Sequence, residues 1–146
     1  MLTIQTILHA TDFSEPSQNA FHLACSLARD HGARLVVLHV EPPPILAFGG
    51  VMTPPPPPEP NRAELLAQLR ELRAPDPKVR VEHLLAEGDA ADEILRVAQG
   101  MHSDLIVLGT HGRTGLGRLL MGSVVEKVVR KAACPVLTVK TPLPEA

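Results

Sequence analysis

The sequence predicts a doubly wound α/β domain, a mostly parallel five-stranded sheet with helices on both faces. Three observations carry that prediction. Short β-branched or Leu-rich runs alternate with stretches of helical periodicity along the chain. The 146 residues fall within the usual size of one domain, so residues 1–146 are read as a single unit. Alternating strands and helices, joined by right-handed crossovers, leave few topologies besides a parallel sheet covered on both sides.

The strands are read at Ile4–Ala10, Leu35–Val40, Val79–Leu85, Leu105–Leu108 and Val136–Lys140. The first helix starts after Ser14, a residue whose hydroxyl can cap, with Pro16 in the first turn. It carries Phe21, Ala24, Cys25 and Ala28 on one face and stops at Gly32. Asn61 and Glu64 have capping-pair spacing ahead of Leu65, Leu66, Leu69 and Leu72. Asp89 precedes the stripe of Ile94, Leu95, Val97 and Ala98, with Gly100 read as the stop. The last helix is read from Ser123 to Ala132.

Residues 41–60 break the alternation. Pro42–Pro44 and Pro54–Pro58 cannot donate backbone hydrogen bonds and favour an extended, stiff loop. The bland reading is a solvated connector, and the sharper one is a proline-rich segment that docks on a partner.

Composition excludes several classes of function. The net charge is -2 with both signs intermixed, which gives no basic field for a nucleic-acid backbone. Trp and Tyr are absent and Phe occurs three times, so stacking platforms for single strands are missing as well. The N-terminus is too short and polar for a signal peptide, and no apolar run reaches the roughly 18 residues that span a bilayer. The expectation is a soluble cytoplasmic protein without nucleic-acid or membrane partners. Cys25 and Cys134 lack metal or redox spacing and are read as packing residues.

In a doubly wound sheet the ligand lies beyond the carboxyl ends of the strands, where the winding reverses. Two segments at such ends collect the distinctive residues: Ala10-Thr11-Asp12-Phe13-Ser14, and Gly109-Thr110-His111-Gly112-Arg113 running on to Gly122-Ser123-Val124. Glycines permit close backbone approach to an anion, and Gly122-Ser123 opens a helix whose free N–H groups suit phosphate. The alternative is that these glycines serve strand ends, turns and packing only. Ser123 and Glu126 also have capping-box spacing. No Walker A triplet occurs, and the glycines are too widely spaced for a dinucleotide fingerprint. His9 and His39 fall on neighbouring strands but lack the third ligand that a zinc site needs, and His111 lies inside the glycine loop. Asp12 reads either as a ligand residue or as a local cap.

These segments resemble the universal stress protein family, in its ATP-binding branch. The resemblance rests on Gly109-Thr110-His111-Gly112-Arg113, on Gly122-Ser123, and on the ending Cys134-Pro135-Val136-Leu137-Thr138-Val139. Ala10-Thr11-Asp12-Phe13-Ser14 and Leu38-His39-Val40 match too, so it spans nearly the whole chain. It implies a Rossmann-like fold of the adenine nucleotide α hydrolase type that holds ATP with Mg²⁺ or Mn²⁺. By the same resemblance Asp12, with Ala10 and Thr11, faces the ribose or the phosphate-bound metal, and Val40 presents backbone to the adenine. Leu108 and Gly109 flank the sugar, and Gly88 closes over the nucleoside. Gly112, Arg113, Gly122, Ser123 and Val124 lie about the phosphates. It further implies a homodimer through the last strand, where Val136, Leu137 and Val139 make an apolar edge. His9-Ala10 and the proline-rich stretch depart from the family pattern. A nucleotide-sensing regulatory module is the reading with most support. An adenylating enzyme would want a Ser-Gly-Gly-x-Asp-Ser loop where this chain has Thr11-Asp12-Phe13-Ser14, and a nucleotide-free interaction protein would not need the glycine-serine run.

Overall fold

The computed structural model describes residues 3–42, 62–110 and 122–140. The proline-rich residues 43–60, Asn61, His111, Gly112 and Arg113 lie outside the described residues. Along the chain run β1 (Thr6–Ala10), α1 (Glu15–His31), β2 (Arg34–Glu41), α2 (Arg62–Arg70), β3 (Val81–Glu87), α3 (Ala90–Gly100), β4 (Leu105–Thr110), α4 (Ser123–Lys131) and β5 (Val136–Lys140). All four strand pairings are parallel, in the order β3-β2-β1-β4-β5, as the doubly wound prediction requires. Winding therefore starts at β1, proceeds to β3, and then crosses back so that β4 pairs on the other side of β1. That reversal leaves a gap between β1 and β4 at their carboxyl ends.

Strand alternation divides the core in two. Ile7, Leu35, Val37, Leu105 and Val107 point toward α1 and α2, where they meet Phe21, Ala24, Ala28 and Leu69. Leu8, Val36, Leu38, Ile106 and Leu108 point the other way, toward Ile94 and Val97 of α3 and Val125 and Val128 of α4. Cys25 is buried in the first cluster and half-buried Cys134 packs against the second. Burial raises the thiol of Cys25 to about 11 and that of Cys134 above its ordinary value, so both stay protonated and pack as apolar groups.

Helix α1 starts and stops as the sequence predicts. Ser14 is extended and its hydroxyl accepts the Ser17 N–H, Pro16 sits in the first turn, and Gly32 ends the helix at φ 63° with its N–H on the carbonyls of Ala28 and Arg29. Asp89 caps α3 by accepting the Asp92 N–H. That bond first, and Lys127 second, hold the Asp89 carboxyl below its usual range. Lys127 on α4 lies 2.6 Å from Asp92 and 3.6 Å from Asp89, tying the starts of α3 and α4 together.

Several predicted boundaries move. Strand β3 runs 81–87 rather than 79–85, because the Val79 N–H is spent on Asp76 in a turn and pairing with β2 begins at Val81 opposite Leu35. Strand β2 extends at both ends, and β4 continues through Gly109 and Thr110, which pair with Val139 and Lys140. Strand β1 begins at Thr6 rather than Ile4, and the N–H groups of Gln5 and Thr6 donate to the Asp104 carboxylate. Gly100 is the last residue of α3 rather than its stop; Met101 is the cap, and His102 takes the left-handed conformation at φ 54°. Helix α4 ends at Lys131 with Ala132 as its cap. Among the described residues no helix is long and apolar enough to cross a membrane.

Candidate functional site

A cleft of about 150 Å³ opens at the carboxyl ends of β1 and β4, where the winding reverses. Its walls are aliphatic: Ala10 and Leu108 from the two central strands, Val40 from β2, Ala90 and Ile94 from α3, and Val124 and Val125 from α4. Polar groups come from the loop after β1, from the first turn of α1 and from β2, namely Thr11 and Asp12, Ser17, and His39. Gly109 completes the lining. An apolar slot with a few oriented polar groups at one side is the usual make-up of a small-molecule site.

The loop from Thr11 to Ser14 is built by short-range bonds. Asp12 accepts at Oδ1 from the Ser14 N–H at 2.9 Å and from the Ser17 hydroxyl at 2.6 Å. The Asp12 N–H in turn donates to Ser17 Oγ at 3.2 Å, and the Phe13 N–H to Thr11 Oγ1 at 3.0 Å. Phe13 is forced to φ 65°, a left-handed conformation that bulky residues seldom adopt. The carboxylate of Asp12 shapes the turn, Ser14 is the residue that caps the helix, and Asp12 is exposed at the cleft.

Gly109 has a second reason to be glycine. A Cβ there would stand 2.5 Å from the Pro16 carbonyl oxygen and 2.7 Å from its carbon, so β4 and the first turn of α1 meet backbone to backbone. That contact sets Ser17, and through it Asp12, against the end of β4.

At the start of α4 the capping-box expectation fails. Gly122 is the N-cap at φ -69°, ψ 166°, no side chain caps the helix, and the Glu126 N–H donates to the Gly122 carbonyl rather than to the Ser123 hydroxyl. Ser123 is the first helical residue and is exposed. The reason is backbone geometry: Gly122 is the extended residue, so the spacing begins one position early. Among the described residues no side chain caps the first N–H groups of α4, which lie beside Val124 and Val125 of the cleft lining.

Gly88 takes φ 142°, a value that favours glycine, and its N–H donates to the Glu41 carbonyl. The residue of this loop that reaches the cleft is Ala90. Sequence reasoning missed Ser17, His39, Ala90, Ile94 and Val125 as lining residues. Ile94 was read only as a helix-stripe residue; Val125, within the last helix, and Ser17, three residues after Ser14, were not singled out.

The described histidines do not converge on a metal site. His9 is fully buried on β1; its Nδ1–H donates to the Val107 carbonyl at 2.9 Å and its ring lies 5.9 Å from that of Phe21. Burial lowers its pKa to about 4, so the ring is neutral, and Nε2 has no hydrogen-bond partner among the described residues. His39 is engaged with the Thr11 carbonyl at 2.8 Å. Among the described residues no group of three or more His, Cys, Asp or Glu side chains stands ready for a metal ion. Asp12 alone suits a cation held mainly by a ligand's phosphates and water, the habit of Mg²⁺.

Comparison with known proteins places this architecture. The model of the universal stress protein family matches residues 3–140. A universal stress protein of Thermus aquaticus is 39% identical over 137 residues, covering 93% of this chain and 98% of that protein. One from Methanocaldococcus jannaschii is 34% identical over 142 residues, covering 95% and 84% respectively. The crystal structure of a universal stress protein in complex with cAMP has a TM-score of 0.69 at 27% identity, covering 94% of this chain and 98% of that one. A match over nearly the full chain, with relatives well above 30% identity, leaves one assignment: the protein belongs to the universal stress protein family.

Proposed function

We propose that this protein binds ATP in the cleft between β1 and β4 and works as a cytoplasmic, dimeric regulatory module whose nucleotide occupancy reports energy state or stress. One observation carries the reading. A mostly aliphatic slot with polar groups at one side lies beside the start of a helix that, among the described residues, has no side-chain cap. The adenine packs among Val40, Ala10 and Ile94, and the ribose lies by Leu108 and Gly109 with Asp12 opposite. The phosphates run toward Gly122, Ser123 and Val124, and Gly88 supports the loop that carries Ala90; Gly112 and Arg113, outside the described residues, belong to the same glycine-serine run of the sequence. Asp12 holds the phosphate-bound Mg²⁺ or Mn²⁺, whose contribution is to offset phosphate charge. The cAMP complex of a family member supports an adenine-type ligand. The glycine-serine run supports a triphosphate. A holding role fits better than a reacting one, since among the described lining residues Asp12 is the sole carboxylate and the sole histidine, His39, already donates to a carbonyl.

The test is a melting-shift titration with ATP and with cAMP. At one hundred times the dissociation constant a ligand that binds only the folded state adds about 2.7 kcal/mol. For a domain of this size that is a shift of several degrees. Gly122 has backbone angles open to any residue, so Gly122→Val should fold normally, crowd the phosphates and abolish the ATP shift. A wild-type protein that ATP does not shift, or an undiminished shift in Gly122→Val, overturns the assignment.

A further inference from the structure

We infer that His39 is a positioning residue for the cleft: from β2 it holds the Thr11–Ser14 turn in the shape that presents Asp12. The inference deepens the proposed nucleotide site and rests on that reading. Because a carbonyl oxygen only accepts, the 2.8 Å contact with the Thr11 carbonyl places the proton of His39 on Nδ1. The same ring lies 4.5 Å from the ring of Phe13, tilted by 40°. Phe13 is one of two described non-glycine residues with positive φ, so something must hold it there. Its own N–H bond to Thr11 Oγ1 is local and cannot anchor the turn to the sheet. The anchors to β2 are the Thr11 N–H, which donates to the Leu38 carbonyl at 2.8 Å, and the His39 ring on the Thr11 carbonyl.

Thr11 is thereby gripped on both sides of its Cα by consecutive residues of one strand. Asp12, which follows, is gripped from the other side by Ser17 of α1 and by the Ser14 N–H. The carboxylate thus sits between two fixed supports, one on β2 and one on α1. The Thr11–Asp12 peptide is held from both sides: Ser17 of α1 accepts its N–H at 3.2 Å, and the His39 ring of β2 donates to its carbonyl at 2.8 Å. His39 itself lines the cleft, so its ring is both a wall and the brace of the opposite group.

The experiment uses the full chain with two variants. His39→Asn keeps an N–H donor near the place of Nδ1, while His39→Phe keeps a ring and removes the donor, leaving the buried Thr11 carbonyl without it. Hydrogen exchange at the Phe13 and Ser14 amides reads the turn without any nucleotide. Exchange there should speed up about tenfold in His39→Phe and stay near the wild-type rate in His39→Asn, with the β1 and β4 amides unchanged in both. ATP affinity should fall about tenfold in His39→Phe and recover in His39→Asn. Adding Asp12→Ala to His39→Phe should then cost little more than Asp12→Ala alone, because the brace acts through Asp12. Unchanged exchange at Phe13 and Ser14 in His39→Phe overturns the inference whatever the affinity. So does a fully additive effect of the two substitutions. A wild-type chain that ATP does not bind overturns the proposed function, and the exchange result still decides the role of His39.

Discussion

Single buried residues are held by bonds whose loss is measurable. His9 is buried neutral, with a pKa of about 4 against 6.5 for a free ring. In the unfolded chain it takes up a proton as the pH falls through about 6.5, whereas in the folded protein it does so only near 4. The unfolded state therefore binds more protons between those values. The stability that His9 allows is complete above pH 6.5 and falls as the pH drops toward 4, by about 3 kcal/mol in all. His9→Leu should flatten that part of the acid limb, and urea unfolding at pH 7 and pH 4.5 compares the two chains. Equal losses in both would show that His9 does not carry the effect. The residue scale was also the least legible in the sequence. Asp12 could be singled out, but not that Ser17 would reach back to it. His39 could be placed on a strand, yet the alternation that assigns its face says nothing of its bond to Thr11. Such bonds depend on how a loop closes in space, and local pattern does not encode that closure.

Elements were read well where local chemistry and tertiary packing agree. The cap at Ser14, the apolar face of α1 and the stop at Gly32 all follow from side-chain preference, and each is found as read. The cap at Asp89 is another such case. Readings failed where a neighbour decides. Strand β3 shifted by two residues because its register is dictated by β2, and the Ser123–Glu126 capping box failed because Gly122, not Ser123, takes the extended conformation, although α4 starts at Ser123 as read. The junction of α1 with β4 depends on one missing side chain. Gly109→Ala places a Cβ against the Pro16 carbonyl, a backbone atom that cannot swing aside. The strand and helix must part, at a cost of about 1–3 kcal/mol. Urea unfolding measures it, and a variant within 0.5 kcal/mol of wild type would show that α1 yields freely.

At the scale of the whole molecule, sheet order places β5 at one edge, with Val136, Leu137 and Val139 only half-buried. An apolar edge strand invites pairing, and a second copy of the chain is the partner proposed for it. Sedimentation at micromolar concentration should give twice 15.7 kDa, and a species of 15.7 kDa would remove the dimer from the proposal. The fold class was legible because alternation of strand and helix admits few windings. The order of strands followed from handedness and the single reversal rather than from any one residue.

That reversal also sets a schedule for the ribosome. The strand made first ends at the centre of the sheet, and its two sides are filled at very different times: β2 follows one helix later, while Val107, which accepts from the His9 ring, is 98 residues away. At about 5–20 residues per second, roughly 5 to 20 s of synthesis pass between the two. Through that interval the nascent chain carries β1 with one flank open and His9 without its carbonyl. The cleft, which needs β4 and α4 as well, closes only as the last third of the polypeptide emerges.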